Sequence, residues 1–215
     1  MAEPSEDTKL TDDPGAFWDD KFKIPDYRYG TEPNAFLAER LPGLVEPGAR
    51  VLCVGDGEGR NGVWCAQQGY QATSLEPSKV GREKTAALAA RRGVEVAQIA
   101  DTMPSEQVKP ESFDAVVLCY IHTPAPRRPD LHRACAAAVR PGGVVLLEGF
   151  TPAQLANQRP SGGPSDVAMM FTAEMLAGDF EGFEIEHLVE EEVELAEGDG
   201  HRGPADVVRM IARKR

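Results

Sequence analysis

The chain has 215 residues, of which 41% are hydrophobic and 27% charged, with a formal net charge of −12. That length suits one sizeable domain, and no apolar run reaches the roughly 18 residues of a membrane-spanning helix. The acidic balance opposes a polyanion, so no nucleic-acid partner and no membrane partner is expected. Met1 to Asp13 lacks the apolar core of a signal peptide, and a cytoplasmic location is the default. Cys53, Cys65, Cys119 and Cys135 lie in or beside apolar runs and form no C-x-x-C pair, so buried reduced thiols are expected and no metal site.

In chain order, residues 1–14 are polar and Pro-containing and read as a disordered tail. Residues 15–45 bring Phe17, Trp18 and Phe22, then Tyr27 to Asn34, and a short helix from Ala35 to Leu41. The first strand is Arg50 to Val54, followed by Gly55-Asp56-Gly57-Glu58-Gly59 and a helix from Asn61 to Gln68. Gln71 to Leu75 is the second strand and ends at Glu76. Pro77-Ser78 opens a helix that runs to Arg92, where Gly93 stops it. Val94 to Ile99 and Phe113 to Cys119 read as strands three and four. A Pro-rich loop from Tyr120 to Pro129, a helix from Asp130 to Val139 and a turn at Arg140–Gly143 lead to strand five, Val144 to Leu147. Beyond Phe150 come a loop over Thr151–Pro164, a short helix from Thr172 and two strands, Phe183–Leu195 and Val207–Ala212. A glycine-rich hairpin loop, Glu197–Gly203, joins those strands. Alternating strand and helix signals define an α/β fold, a doubly wound Rossmann-like sheet with helices on both faces. Ligands of such a sheet bind outside the C-terminal ends of its strands.

The glycine loop lies at such an end. Its glycines permit a tight turn and bring backbone N–H groups and a helix N-terminus close to a ligand. Counted from Gly55, where the strand stops, the dinucleotide spacing fails because Arg60 stands at the third glycine position. The frame that fits is Gly55, Gly57, Gly59. Glu76, one strand over, is placed to accept from ribose hydroxyls, and Asp101 is placed to accept from an adenine amino group.

With these segments the chain resembles a class I S-adenosylmethionine (SAM) methyltransferase. More narrowly it is similar to the tellurite-resistance-like and thiopurine-methyltransferase-like small-molecule enzymes. The resemblance runs through Tyr29–Asn34, Gly55–Asn61, Phe113–Val117, Arg140–Gly143, Glu148–Pro152, Gly162–Pro164 and Gly198–Gly203. It implies a seven-stranded mixed sheet whose last strand is antiparallel, with residues 46–150 as cofactor core and 151–215 on the acceptor side. It also implies SAM as cofactor, with Gly55, Gly57 and Gly59 on its methionine part. Asp56, Asn61, Pro77, Tyr29 and Tyr120 complete the expected cofactor set. One departure stands out: Cys53 replaces the usual acid, and Asp56 occupies a position where a small residue is common.

On the acceptor side, His122 follows strand four and is the candidate proton acceptor, with a packing role or a hydrogen bond to the cofactor carboxylate as the alternatives. Arg28, His201 and Arg202 are the candidate acceptor-binding residues. His132 reads as a helix-surface residue. The expected reaction moves a methyl group to a small nucleophile such as a thiol or a chalcogen oxyanion, in a monomer or homodimer. The rivals are a non-catalytic SAM-binding protein and a nicotinamide oxidoreductase. The second lacks a Tyr-x-x-x-Lys pair, since Thr31, Pro33, Ser74 and Pro124 follow the four tyrosines.

Overall fold

The computed structural model describes residues 13–215. The first helix, α1 (Pro14–Phe22), has Asp13 as its N-cap, whose carboxylate accepts from Ala16 N, and Pro14 in its first turn. The tail expected over residues 1–14 therefore yields Asp13 and Pro14 to a helix, and its remainder lies outside the described residues. Helix α2 (Ala35–Arg40) follows, capped by Asn34. The core then alternates: β1 (Arg50–Val54), α3 (Arg60–Gln67), β2 (Gln71–Leu75), α4 (Lys79–Arg92), β3 (Ala97–Ile99), β4 (Phe113–Cys119), α5 (Arg128–Ala138) and β5 (Val139–Phe150). The remaining elements are α6 (Pro152–Ala156), α7 (Ala173–Asp179), β6 (Phe183–Glu197) and β7 (His201–Lys214).

The seven strands form one sheet in the order β3-β2-β1-β4-β5-β7-β6. The first five are parallel, and β7 runs antiparallel to both of its neighbours. Side-chain alternation divides the core into two layers. Leu52 and Val54 of β1 and Val145 and Leu147 of β5 pack on one face with Leu131, Cys135 and Leu176 from α5 and α7. Val51, Cys53, Val144 and Leu146 pack on the other with Phe36, Leu37 and Cys65 from α2 and α3.

Several boundaries differ from the sequence reading, each for a tertiary reason. Strand β3 keeps three residues of the expected six because only Ala97–Ile99 find partners on β2. Arg140–Gly143 is carried inside β5, where pairing jumps from Phe113↔Val139 to Ala115↔Val144 and bulges the turn outward. The loop expected over Thr151–Pro164 contains α6, whose Gln154 is buried and bonded to Ser161 and Gly162. The hairpin loop narrows to Gly198–Gly200, since pairing continues to Glu197↔His201. His132 lies buried on α5, with Nδ1 2.7 Å from Asp179 Oδ2, and is not a surface residue.

Candidate functional site

The register leaves Val54, Leu75, Cys119 and Glu148 at one edge of the sheet. A cavity of about 450 Å³ opens there, within the size range of small-molecule and cofactor sites. Its lower wall is the glycine loop. Gly55 and Gly57 hold φ of 57° and 60°. A Cβ on Gly55 would come within 2.6 Å of Ile121 Cδ1, and one on Gly57 within 3.3 Å of Phe22 Cζ. Side chains there would fill the space that the loop leaves open.

Glu76 projects from the end of β2 and is 3% exposed. Its Oε2 accepts from Gly57 N at 2.8 Å and its Oε1 from Ser78 N at 2.8 Å. Each oxygen retains a lone pair for a diol on the cavity side. Burial pushes this carboxyl up to about 7, against the pull of those two N–H donors. Pro77 lines the same wall. Asp56 lines the cavity, but its Oδ1 accepts from Gly62 N at 3.1 Å and its Oδ2 is buried without a partner. The carboxylate serves α3 rather than a ligand, and burial pushes it up to about 7 as well. It therefore does not replace the acid missing at Cys53, which is itself packed in the core with Cys65. Asp101 is not brought to the cavity: its Oδ1 accepts from Thr102 N at 2.8 Å, and Thr102 and Met103 line the wall instead.

The roof is the N-terminal segment. Phe17, Trp18 and Phe22 of α1 line the cavity with Arg28 and Tyr29. Asp19 fastens α1 to the start of α4, accepting from Ser78 Oγ at 2.5 Å and Val80 N at 2.9 Å. Lys84 donates to Ile24 O, Asp26 O and Glu58 Oε1, which fixes the segment after α1. Asn61 faces this segment and accepts from Asn34 N at 2.9 Å, so its amide is engaged in holding the roof.

The far wall carries the polar chemistry. Tyr120 has φ of 59°, an uncommon conformation for a residue with a side chain. Its hydroxyl donates to Glu148 Oε1 at 2.5 Å. His122 lines the cavity with both nitrogens bonded: Nδ1 lies 2.8 Å from Met169 O, and Nε2 accepts from Phe150 N at 3.0 Å. That pair of partners fixes the proton on Nδ1. Burial pushes the ring down to about 4. With no lone pair free, His122 is a packing and positioning residue, stacked 4.6 Å from Phe171, and the expectation that it acts as the base is corrected.

His201 stands differently. It lines the cavity at the start of β7, with Tyr29 and Tyr120 at centroid distances of 4.5 and 4.3 Å. Its Nδ1 lies 3.4 Å from Glu197 Oε2, and its Nε2 has no partner among the described residues. Burial lowers the His201 pKa, so the ring is neutral near pH 7. Burial alone would raise Glu197, but His201 and Arg60 outweigh it and hold the carboxylate at about 2. Arg202, the next residue, is exposed and absent from the cavity wall, because the strand alternation points it away.

Behind His201 lies a buried network that the sequence did not announce. Asn34 Nδ2 donates to Glu197 Oε1 at 3.0 Å and to Glu148 Oε2 at 3.3 Å. Arg60 pairs with Glu197 at 2.8 Å, and Arg209 pairs with Glu148 at 3.3 Å. Glu148 at the end of an apolar strand was the one legible signal. Asn34, Arg60 and Glu197 come from three unrelated stretches.

Residues 51–143 match the model of a methyltransferase domain. Ubiquinone biosynthesis O-methyltransferase of Serratia proteamaculans is 33% identical over 117 residues, 52% of this chain and 46% of that one. The chain spans about half the length of the curated relatives it matches. Among solved structures, TehB from Haemophilus influenzae superposes with a TM-score of 0.68 at 17% identity, over 94% of this chain and 67% of that one. A SAM-dependent methyltransferase from Methanosarcina mazei gives 0.68 at 18%, over 81% and 96%. These two likenesses establish the fold. The family match lies on residues 51–143, the core of the sheet, and the chain around it has the fold of a SAM-dependent methyltransferase. The open glycine loop and the Glu76 carboxylate fit SAM: Gly55 and Gly57, which line the cavity, would face its amino-acid part and Glu76 its ribose, whereas Gly59 is absent from the cavity wall and faces Thr85. Among the described residues no helix is long and apolar enough to cross a membrane.

Proposed function

We propose that the chain transfers the methyl group of SAM to a hydroxyl of a small-molecule acceptor, with His201 taking the hydroxyl proton. The observation that carries this reading is the free Nε2 of His201 in the cavity, with Glu197 behind its Nδ1. SAM supplies a methyl group already activated on a sulfonium. What remains for the protein is to orient the acceptor, exclude water and receive a proton. A carboxylate behind a neutral imidazole keeps the proton on Nδ1 and leaves Nε2 as the base. A thiolate or a chalcogen oxyanion needs no such base, so the dyad favours a hydroxyl. The name of the Serratia relative, an O-methyltransferase, supports the same choice. The roof helix, with Phe17, Trp18 and Phe22, supplies apolar cover.

The narrower likeness to tellurite-resistance-like and thiopurine-methyltransferase-like enzymes has its own support. Gly162 packs against Gly200 and His201, so the two late motifs meet at the cavity. The test is S-adenosylhomocysteine formation from SAM with phenols, catechols, thiols, selenite and tellurite. Turnover of a phenol or catechol that collapses in His201→Gln supports the hydroxyl reading. Turnover of thiols or oxyanions that survives His201→Gln selects the narrower group. Cofactor binding without turnover over the whole panel overturns both and leaves a non-catalytic SAM-binding protein.

A further inference from the structure

Several shielded cations in this acidic chain meet carboxylates. Arg60, Arg128, Arg159 and Lys84 each do so, the last with Glu58 at 2.6 Å. Arg28 is the contrast. It lines the cavity, has no carboxylate partner among the described residues, and leaves its Nε buried with no hydrogen bond. The side-chain contact it makes is with the Tyr29 ring, 5.8 Å from the guanidinium carbon. Its backbone is held from both sides: Arg28 N donates to Glu58 Oε2 at 2.7 Å and Arg28 O accepts from Gly200 N at 2.9 Å. The glycines of that turn make the approach possible, because a Cβ on Gly198 would lie 2.7 Å from Arg28 O. The side chain thus hangs from an anchored backbone between the glycine loop and His201. It is near enough that its charge helps keep His201 neutral.

A guanidinium held partly out of water without a counter-charge is costly, and a bound anion removes that cost. Its planar fork matches a carboxylate through two parallel N–H donors. We infer that Arg28 receives a carboxylate of the molecule that fills the cavity. Two sources offer that group: the amino-acid end of the cofactor, or a carboxylate on the acceptor. The second source rests on the methyl-transfer reading above; the first does not.

Calorimetric titration separates them. Wild type, Arg28→Met and Arg28→Lys are titrated with S-adenosylhomocysteine and with 5′-methylthioadenosine, which has the same nucleoside and thioether but no amino-acid end. Each protein saturated with S-adenosylhomocysteine is then titrated with benzoate and with phenol. If the cofactor is the source, Arg28→Met weakens S-adenosylhomocysteine by about 10- to 100-fold and leaves 5′-methylthioadenosine within about threefold. If the acceptor is the source, S-adenosylhomocysteine is unchanged, and benzoate loses a similar factor while phenol does not. Arg28→Lys restores part of whichever loss is seen, because it returns charge without the fork. Equal weakening of S-adenosylhomocysteine and 5′-methylthioadenosine, or no change with any ligand, overturns the inference. So does a wild type that binds neither S-adenosylhomocysteine nor benzoate. Methyl transfer that fails over the acceptor panel while these binding differences persist overturns the functional reading and leaves Arg28 as assigned.

Discussion

Replacing Glu76 by Gln tests the cofactor assignment most directly. In the wild type both carboxylate oxygens accept a backbone N–H, from Gly57 and from Ser78. An amide has one accepting oxygen, so one of these buried donors must face an NH₂ group. Leaving a buried donor unsatisfied costs about 1–3 kcal/mol, which for a chain of this size lowers the melting temperature by roughly 2–4 °C per kcal/mol. Cofactor affinity should fall further. Two ribose hydroxyls that donate to a carboxylate are worth about 1.5–3 kcal/mol each, so loss of most of that interaction weakens binding by about 100-fold or more. The pH dependence gives an independent reading. The ribose donors bind the ionised carboxylate, whose pKa burial has pushed to about 7. Wild-type affinity for S-adenosylhomocysteine therefore rises as pH passes upward through about 7 and levels off above it, and the Gln variant loses that rise. Calorimetry at several pH values, with circular dichroism to confirm folding, measures both. A folded Gln variant that binds S-adenosylhomocysteine within about threefold of wild type, with the same pH profile, refutes the ribose role.

Three further substitutions probe the wall and the loop. Asp56→Asn keeps an acceptor for Gly62 N and removes a charge buried by the loop. Since the folded pKa of about 7 stands above the ordinary 3.8, wild-type Asp56 loses stability as pH rises between them. Urea unfolding should show the Asn variant gaining on wild type from about pH 5 to pH 8, and a constant difference would contradict the burial argument. Gly59→Ala forces a Cβ within 2.6 Å of Thr85 Cγ2 at a φ of 89°. It should cost about 2–4 kcal/mol from overpacking and left-handed strain, read by the same unfolding method. Glu197→Gln should slow turnover of a hydroxyl acceptor by about 100-fold and flatten its pH profile, since the imidazole loses its orienting carboxylate. A purely structural Glu197 would change stability and leave the profile's shape intact.

The parallel half of the sheet was legible because its signals are local. Strands β1 and β4 are short apolar runs, and Gly55-Asp56-Gly57-Glu58-Gly59 sits directly after the first. Glu76 could be placed because its neighbour in space, Gly57, belongs to the adjacent strand's end. The acceptor wall was harder to read because its geometry is set by partners far along the chain. His122 and His201 look alike in sequence, yet Phe150 N and Met169 O close the first, while Glu197 leaves the second open. A glycine-rich hairpin loop reaching over the pocket puts Arg202 beside His201 in the sequence reading, but continued β-pairing places the two on opposite faces. Asp101 marked a strand end correctly, but its carboxylate turned to its own neighbour's N–H.

The network behind His201 explains why so much charge is buried beside the cavity. Arg60 faces Glu197 and Arg209 faces Glu148, so each anion has its own cation, and Asn34 donates to both anions. Buried ion pairs add little net stability, but they are costly to leave incomplete. One tie between the roof and the far wall is this amide: Asn34 Nδ2 reaches β5 and β6, while Asn34 Oδ1 caps α2 through Leu37 N at 2.9 Å. Asn34→Asp is nearly isosteric and keeps the cap, yet it turns the donor into a third carboxylate between two others. At pH 8 the loss should be about 3–5 kcal/mol, the cost of an unpaired buried charge. On acidification the introduced carboxylate takes up a proton, regains a donor and recovers part of that loss. Urea unfolding across pH measures this directly. A variant within about 1 kcal/mol of wild type at pH 8 would mean that Asn34 does not bridge the two glutamates, and the roof would then be held by its other anchors, among them Asp19, Lys84 and the Arg28 backbone.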